Sequence, residues 1–113
     1  MIEKLGGKGW CKMFEIQIVK FDLLGNLKDG FDNNGGTTIA REVTKLDLDK
    51  AGKLAERLAR RSLEITLPTN EAGTGTRTIR GYGLTIDWSD EYYADINSKN
   101  HGVCVGAIYI TEV

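Results

Sequence analysis

Asp47-Leu48-Asp49-Lys50-Ala51-Gly52-Lys53-Leu54-Ala55-Glu56-Arg57-Leu58-Ala59-Arg60-Arg61-Ser62 is the stretch that decides the fold. Leu48, Ala51, Leu54, Ala55, Leu58, Ala59 and Ser62 recur at three- and four-residue steps, and Asp49, Lys50, Lys53, Glu56, Arg57, Arg60 and Arg61 take the other side. That spacing is the signature of an amphipathic helix. Asp47 stands at the N-cap position, and Leu46 before it is placed to staple onto Ala51. Lys50 sits where a capping box has Glu. An inner face built on alanine lets the helix axis come close to whatever it covers. On the charged side, Arg60 and Arg61 complement the C-terminal end of the helix dipole, and Glu56 can pair with Arg60 one turn on.

Upstream of the helix, Phe14 to Leu23 alternates as a strand, with Phe14, Ile16 and Ile18 on one face and Val19, Phe21 and Leu23 on the other. The change of face points to a bulge or to a strand covered on both sides near its end. Gly25 to Gly36 carries Gly-Asn, Asp-Gly and Asn-Gly pairs and reads as a loop at the end of a hairpin. Thr37 to Leu46 is β-branched and reads as the returning strand. Downstream, Leu63, Ile65 and Leu67 alternate until Pro68 ends the strand. Thr76 to Trp88 reads as the longest strand, with Tyr82, Leu84, Ile86 and Trp88 on one face and Ile79, Gly81, Gly83 and Thr85 on the other. Ser89 to Asn97 reads as a short helix capped by Ser89. Val103 to Val113 closes the chain as a strand, Cys104, Gly106, Ile108 and Ile110 opposing Val103, Val105, Ala107 and Tyr109.

The order β-β-α-β-β-β with short connections implies an α+β fold: a single domain with a mostly antiparallel five-stranded sheet and one main amphipathic helix packed on one face. Residues 1–12, rich in glycine and lysine, are expected to form a flexible N-terminal arm in which Trp10 is suited to docking, leaving 13–113 as the domain. Gly81, Gly83 and Gly106 are expected to form a shelf on which the alanine face of the helix lies. A helix of this length runs ~24 Å but is only ~10 Å wide, whereas five strands span ~24 Å, so one helix cannot cover both sheet faces.

A length of 113 residues matches one domain, and 41% hydrophobic with 27% charged residues excludes a disordered or fibrous chain. A formal charge of -1 supplies no global field to draw nucleic acid or an anionic membrane. No apolar run reaches the ~20 residues that span a bilayer, and no secretory h-region is present, so the expectation is a soluble, unexported, cytoplasmic protein. Cys11 and Cys104 are then free thiols, Cys104 as a buried one on the Ile108 face.

No motif names a reaction. His101, the one histidine, lies three residues from Cys104, but across a loop-to-strand junction, so no Cys-His catalytic pair is expected. Asp87, Asp90, Glu91 and Asp95 match no calcium loop, and Asp90 and Glu91 suit the start of a helix, so no metal and no cofactor is expected. Arg57, Arg60, Arg61, Arg77 and Arg80 offer a basic patch for a nucleic-acid reading that ranks third, since dipole complementation explains the helical cluster. The leading expectation is a non-enzymatic protein-interaction domain: a small dimeric accessory or inhibitor-type protein. Its binding face would be an apolar sheet surface of Tyr82, Leu84, Ile86, Trp88 and Tyr109 with the adjoining Tyr92 and Tyr93. The second expectation is a small-molecule binder or minor enzyme, its pocket lying between the sheet and the 23–36 loop with Asp87, Asp90 and His101 at the mouth.

Overall fold

The computed structural model describes residues 12–26, 28–70, 72, 74–99 and 102–113. In chain order the elements are β1 (Phe14–Asn26), β2 (Gly30–Thr44), α1 (Leu48–Ser62), β3 (Glu64–Pro68), β4 (Thr76–Arg80), a 3-10 turn at Gly81–Gly83, β5 (Leu84–Trp88), β6 (Tyr93–Ser98) and β7 (Cys104–Glu112). The fold is α+β: a five-stranded antiparallel sheet in the order β2-β1-β7-β6-β5, with β3 and β4 forming a separate two-stranded sheet.

The helix forms as its pattern requires. Asp47 is extended at the N-cap and its Oδ1 accepts from the Lys50 N–H at 2.9 Å. At the other end the Leu63 N–H donates to the Ala59 carbonyl, and the chain passes straight into β3 without a loop. Ala51, Ala55 and Ala59 are fully buried, so the small-residue face is the one that meets the sheet. Beneath it lie Phe14, Ile16 and Ile18 of β1, Ile108 and Ile110 of β7, and Ala94 and Ile96 of β6, all in one core. Ile65, Leu67 and Ile79 of the β3-β4 hairpin belong to the same core, so helix and hairpin share one side of the main sheet.

The expected strand from Thr76 to Trp88 is two strands in two different sheets. Gly81 takes a left-handed φ of +57°, which breaks the extended run. Arg60 holds the break in place: its Nη1 donates to the carbonyls of Gly81 at 2.9 Å and Leu84 at 2.7 Å. Its guanidinium carbon also lies 4.9 Å from the ring centre of Tyr82, which stands out at 84% exposure. The three strand glycines therefore divide. Gly81 and Gly83 make a turn at the end of the helix, while Gly106 is a close-approach site, where a Cβ would collide with the Val19 carbonyl oxygen and crowd Leu63.

The expected helix over Ser89–Asn97 is a turn followed by β6. Asp90 Oδ1 accepts from the backbone N–H groups of Tyr92 (2.7 Å) and Tyr93 (3.0 Å), which closes a turn instead of starting a helix. Alternate burial of Ala94, Ile96 and Ser98 then fixes the two-residue period. The expected loop from Gly25 to Gly36 is likewise mostly strand. β1 pairs with β7 only as far as Lys20, but stays paired with β2 out to Asn26↔Gly30. The result is a two-stranded ribbon projecting beyond the sheet, its end closed where Asn26 Oδ1 accepts from the Asp29 N–H at 2.8 Å. Register shifts after Ile18 and Phe21 put extra residues into β2, so the irregularity lies in the partner strand, while β1 itself pairs with β7 without a break through Lys20. An isolated hairpin is marginal in water, and here Leu23 and Phe31 pack against the core.

Two substitutions test these contacts. Arg60→Ala leaves the Gly81 and Leu84 carbonyls without their cationic donor and is expected to destabilise the protein by about 2–3 kcal/mol, with Arg60→Lys recovering only part. The readout is the midpoint of urea unfolding. Gly106→Val should cost about 2–3 kcal/mol or more by forcing β7 away from β1, read as a lower midpoint at unchanged slope.

Candidate functional site: the open face of the sheet

With α1 and the β3-β4 hairpin on one side, no described residue covers the other side of the five-stranded sheet. Register decides what that face carries. Ile16↔Ile110, Ile18↔Ile108 and Ala94↔Ile108 pair toward the helix, so the alternate positions Gln17↔Tyr109, Val19↔Ala107, Tyr93↔Tyr109 and Asp95↔Ala107 point the other way. The β5 pairs Ile86↔Ile96 and Trp88↔Ala94 are on the helix side as well. Leu84, Ile86 and Trp88 are therefore core or core-packed residues, and the face expected for them is the inner one. Of the group expected to share a surface, Tyr93 and Tyr109 do come together, Tyr92 lies 45% exposed beside the turn, and Tyr82 is remote in the Gly81–Gly83 turn.

One bulge changes the identity of the face. β6 and β7 pair Ile96↔Gly106 but then Asn97↔Cys104, so Val105 is the extra residue. Val105 drops fully into the core, and Cys104 is turned to the open side, away from the Ile108 face expected for it. Its Sγ lies 3.6 Å from the Gly106 carbonyl and 4.0 Å from Asp95 Oδ1. The Tyr93 hydroxyl donates to the same Asp95 oxygen at 2.7 Å, and its ring meets Tyr109 edge-on with centres 5.1 Å apart. Ala107 is fully buried between these side chains and β1 although it lies outside the main core. Across β1 and β2 the face turns polar: Glu15 accepts from Gln17 at 3.1 Å and pairs with Arg41 at 3.4 Å. Asn97 Nδ2 donates to Asp87 Oδ2 at 2.8 Å on the β5 side.

The electrostatics of the tyrosine cluster follow from that geometry. The hydrogen bond to Asp95 raises the Tyr93 phenol well above its ordinary value, with burial and the Asp95 charge adding in the same direction. Burial, then Asp95, raises the Cys104 thiol as well, against backbone hydrogen bonds that lower it. Both groups are held neutral. A raised thiol value lowers the thiolate fraction and with it the nucleophilicity of the sulfur.

The remaining candidates are dispersed. Asp87 is on the open face with Asn97, Asp90 closes the turn, and His101, like Trp10 and Cys11, lies outside the described residues. The 23–36 segment forms most of the ribbon, with Leu23 and Phe31 packed against the core. Among the described residues no three His, Cys, Asp or Glu side chains converge on a metal position. Of the arginines, Arg60 is committed to backbone carbonyls and Arg80 lies 3.4 Å from Glu64. Among the described residues no helix is long and apolar enough to cross a membrane. Strand alternation alone does not announce the Tyr93-Asp95-Cys104 cluster, because its assembly depends on the bulge at Val105. No protein-family model, no curated protein and no solved structure matches this chain.

Raised folded-state values for neutral acids carry a definite sign. Above the ordinary thiol and phenol values of 9.0 and 10.0 the unfolded chain loses these protons while the folded chain keeps them, so stability falls as pH climbs through and beyond that range. Unfolding midpoints measured from pH 8 to 11 should decline, and Asp95→Asn should flatten the decline by releasing its hold on Tyr93. An equally steep decline in the variant would refute the assignment.

Proposed function

We propose that this chain is a non-enzymatic protein-interaction domain that binds through the open face of its sheet, with a second copy of itself as the first partner. The observation that carries this reading is the Tyr93–Tyr109 pair, set at the centre of a sheet face that no described residue covers. Tyrosine joins a large rigid contact area to a polar tip and is favoured at such surfaces. Tyr109 is 39% exposed and Val43 48%, so both have area left to bury.

The size and polarity of the face set the kind of association. Five strands at ~4.8 Å and about six residues at ~3.3 Å give roughly 500 Å² per partner, below the ~800 Å² of a standard interface. Glu15, Gln17, Arg41, Asp95 and Asn97 make it half polar, unlike the apolar interfaces of obligate dimers. Reversible, micromolar-range binding is the expected regime, suited to an accessory or inhibitor-type protein. Working inside a cell, such a protein would need no cofactor.

Sedimentation velocity over roughly 1–300 μM should show concentration-dependent self-association. Tyr109→Arg should weaken it at least about tenfold while lowering stability by only about 1 kcal/mol through loss of the Tyr93 contact, because an interface anchor is lost while the inner core is untouched. A single monomeric species throughout that range would remove the self-association reading.

A further inference from the structure

On the opposite side of the sheet, the first half of α1 faces Trp88 and the turn after it across a groove of about 400 Å³. That volume is within the range of small-ligand sites. Its floor is apolar. The six-membered ring of Trp88 lies beside Gly52 of the helix, where an added Cβ would make ordinary van der Waals contact with it at 3.7 Å, and Leu48 also lines the groove. The indole N–H donates to Glu56 Oε2 at 2.7 Å, so this carboxylate is fixed at the edge of the ring. Asp90 is fixed as well, by the two backbone N–H groups it accepts.

The rim is strongly one-sided in charge. Asp49, Glu56, Asp90 and Glu91 face a single cation, Lys53, and none of these five enters an ion pair among the described residues. The helix N-terminus contributes about half a positive charge, which Asp47 at the cap already meets. The groove therefore remains negative. This field disfavours an anionic ligand, and among the described residues no three His, Cys, Asp or Glu side chains converge to hold a bare metal ion.

We propose that the Trp88 groove binds a small organic cation, an ammonium or guanidinium group on a short apolar stem. The stem lies along the indole and Leu48, and the head group meets Glu56, which keeps one oxygen beyond its bond to the indole. A cation placed beside a fixed carboxylate and an aromatic ring gains a charge-assisted hydrogen bond and the attraction of the ring quadrupole. This site is independent of the open face, which lies across the sheet.

The test uses the full chain carrying Trp10→Phe, so that Trp88 is the sole indole reporter, titrated with n-butylguanidinium at low salt. A saturable change in emission is expected, with half-saturation in the range of about 1 mM or tighter. Glu56→Gln, which preserves an acceptor for the indole N–H, should weaken binding at least about tenfold, and Asp49→Asn should weaken it less. Glu64→Gln, outside the groove, should leave it unchanged, and the neutral 1,5-pentanediol should give no saturable change. Thermal melts of each variant separate loss of binding from loss of fold. The proposal is overturned by an absence of saturation up to about 50 mM, equal binding of the diol, or unchanged binding in both folded Glu56→Gln and Asp49→Asn. It is also overturned if acetyl-arginine amide binds far more tightly than n-butylguanidinium, since the occupant would then be a side chain of a protein partner.

Discussion

Everything on both faces of this molecule depends on how the chain leaves one sheet and enters another at Gly81–Gly83, and Arg60 controls that passage. Two carbonyls near the end of the helix accept from the Arg60 guanidinium, that of Gly81 in addition to the Leu84 N–H that closes the turn. Because the guanidinium is on α1 and the carbonyls bracket the turn, the helix and the start of β5 are locked together. That lock sets where β5 lies, and β5 carries Trp88 under the helix and Asp87 onto the opposite face. A neutral side chain of similar reach would leave the carbonyls half satisfied in a crowded place, where the desolvation cost is highest.

The helix is narrow, and the coverage problem this creates is solved only on one side. Where α1 ends, the β3-β4 hairpin takes over and continues the same layer with Ile65, Leu67 and Ile79. The chain thus invests its second sheet in completing the core, and the far face is left to side chains that bond among themselves. Asp95 is central to that arrangement, since it orients Tyr93 and faces Cys104 at once. Such a polar surface is stable against water yet keeps two aromatic rings available.

How much of this was legible in the sequence varies by element for physical reasons. The helix was readable because its period persists over four turns and its cap is a local interaction between Asp47 and Lys50. β1 and the α+β architecture followed from alternation and connection length. The break in Thr76–Trp88 was not readable, because a glycine in an alternating run signals a bulge, a ligand or a turn with equal force, and the deciding partner, Arg60, is over twenty residues away. Tyr93–Ser98 was misread because Asp90 serves a turn as readily as a helix start. Cys104 was assigned to the wrong face by counting in twos, a rule that fails as soon as one extra residue enters a ladder. The apolar face expected from Leu84, Ile86 and Trp88 was the inner face of β5, and the same residues that suggested a partner surface belong to the core.

The projecting β1-β2 ribbon has a consequence for how the protein moves through solvent. A radius of gyration of 16.8 Å and extents of 61 × 24 × 20 Å describe a rod-like particle, whereas a globular chain of this length would have a radius of about 13 Å. Friction follows the longest axis more than the mass. A single 12.5 kDa copy will therefore elute from a gel-filtration column ahead of compact standards of its own weight, and its Stokes radius records the ribbon before it records any companion.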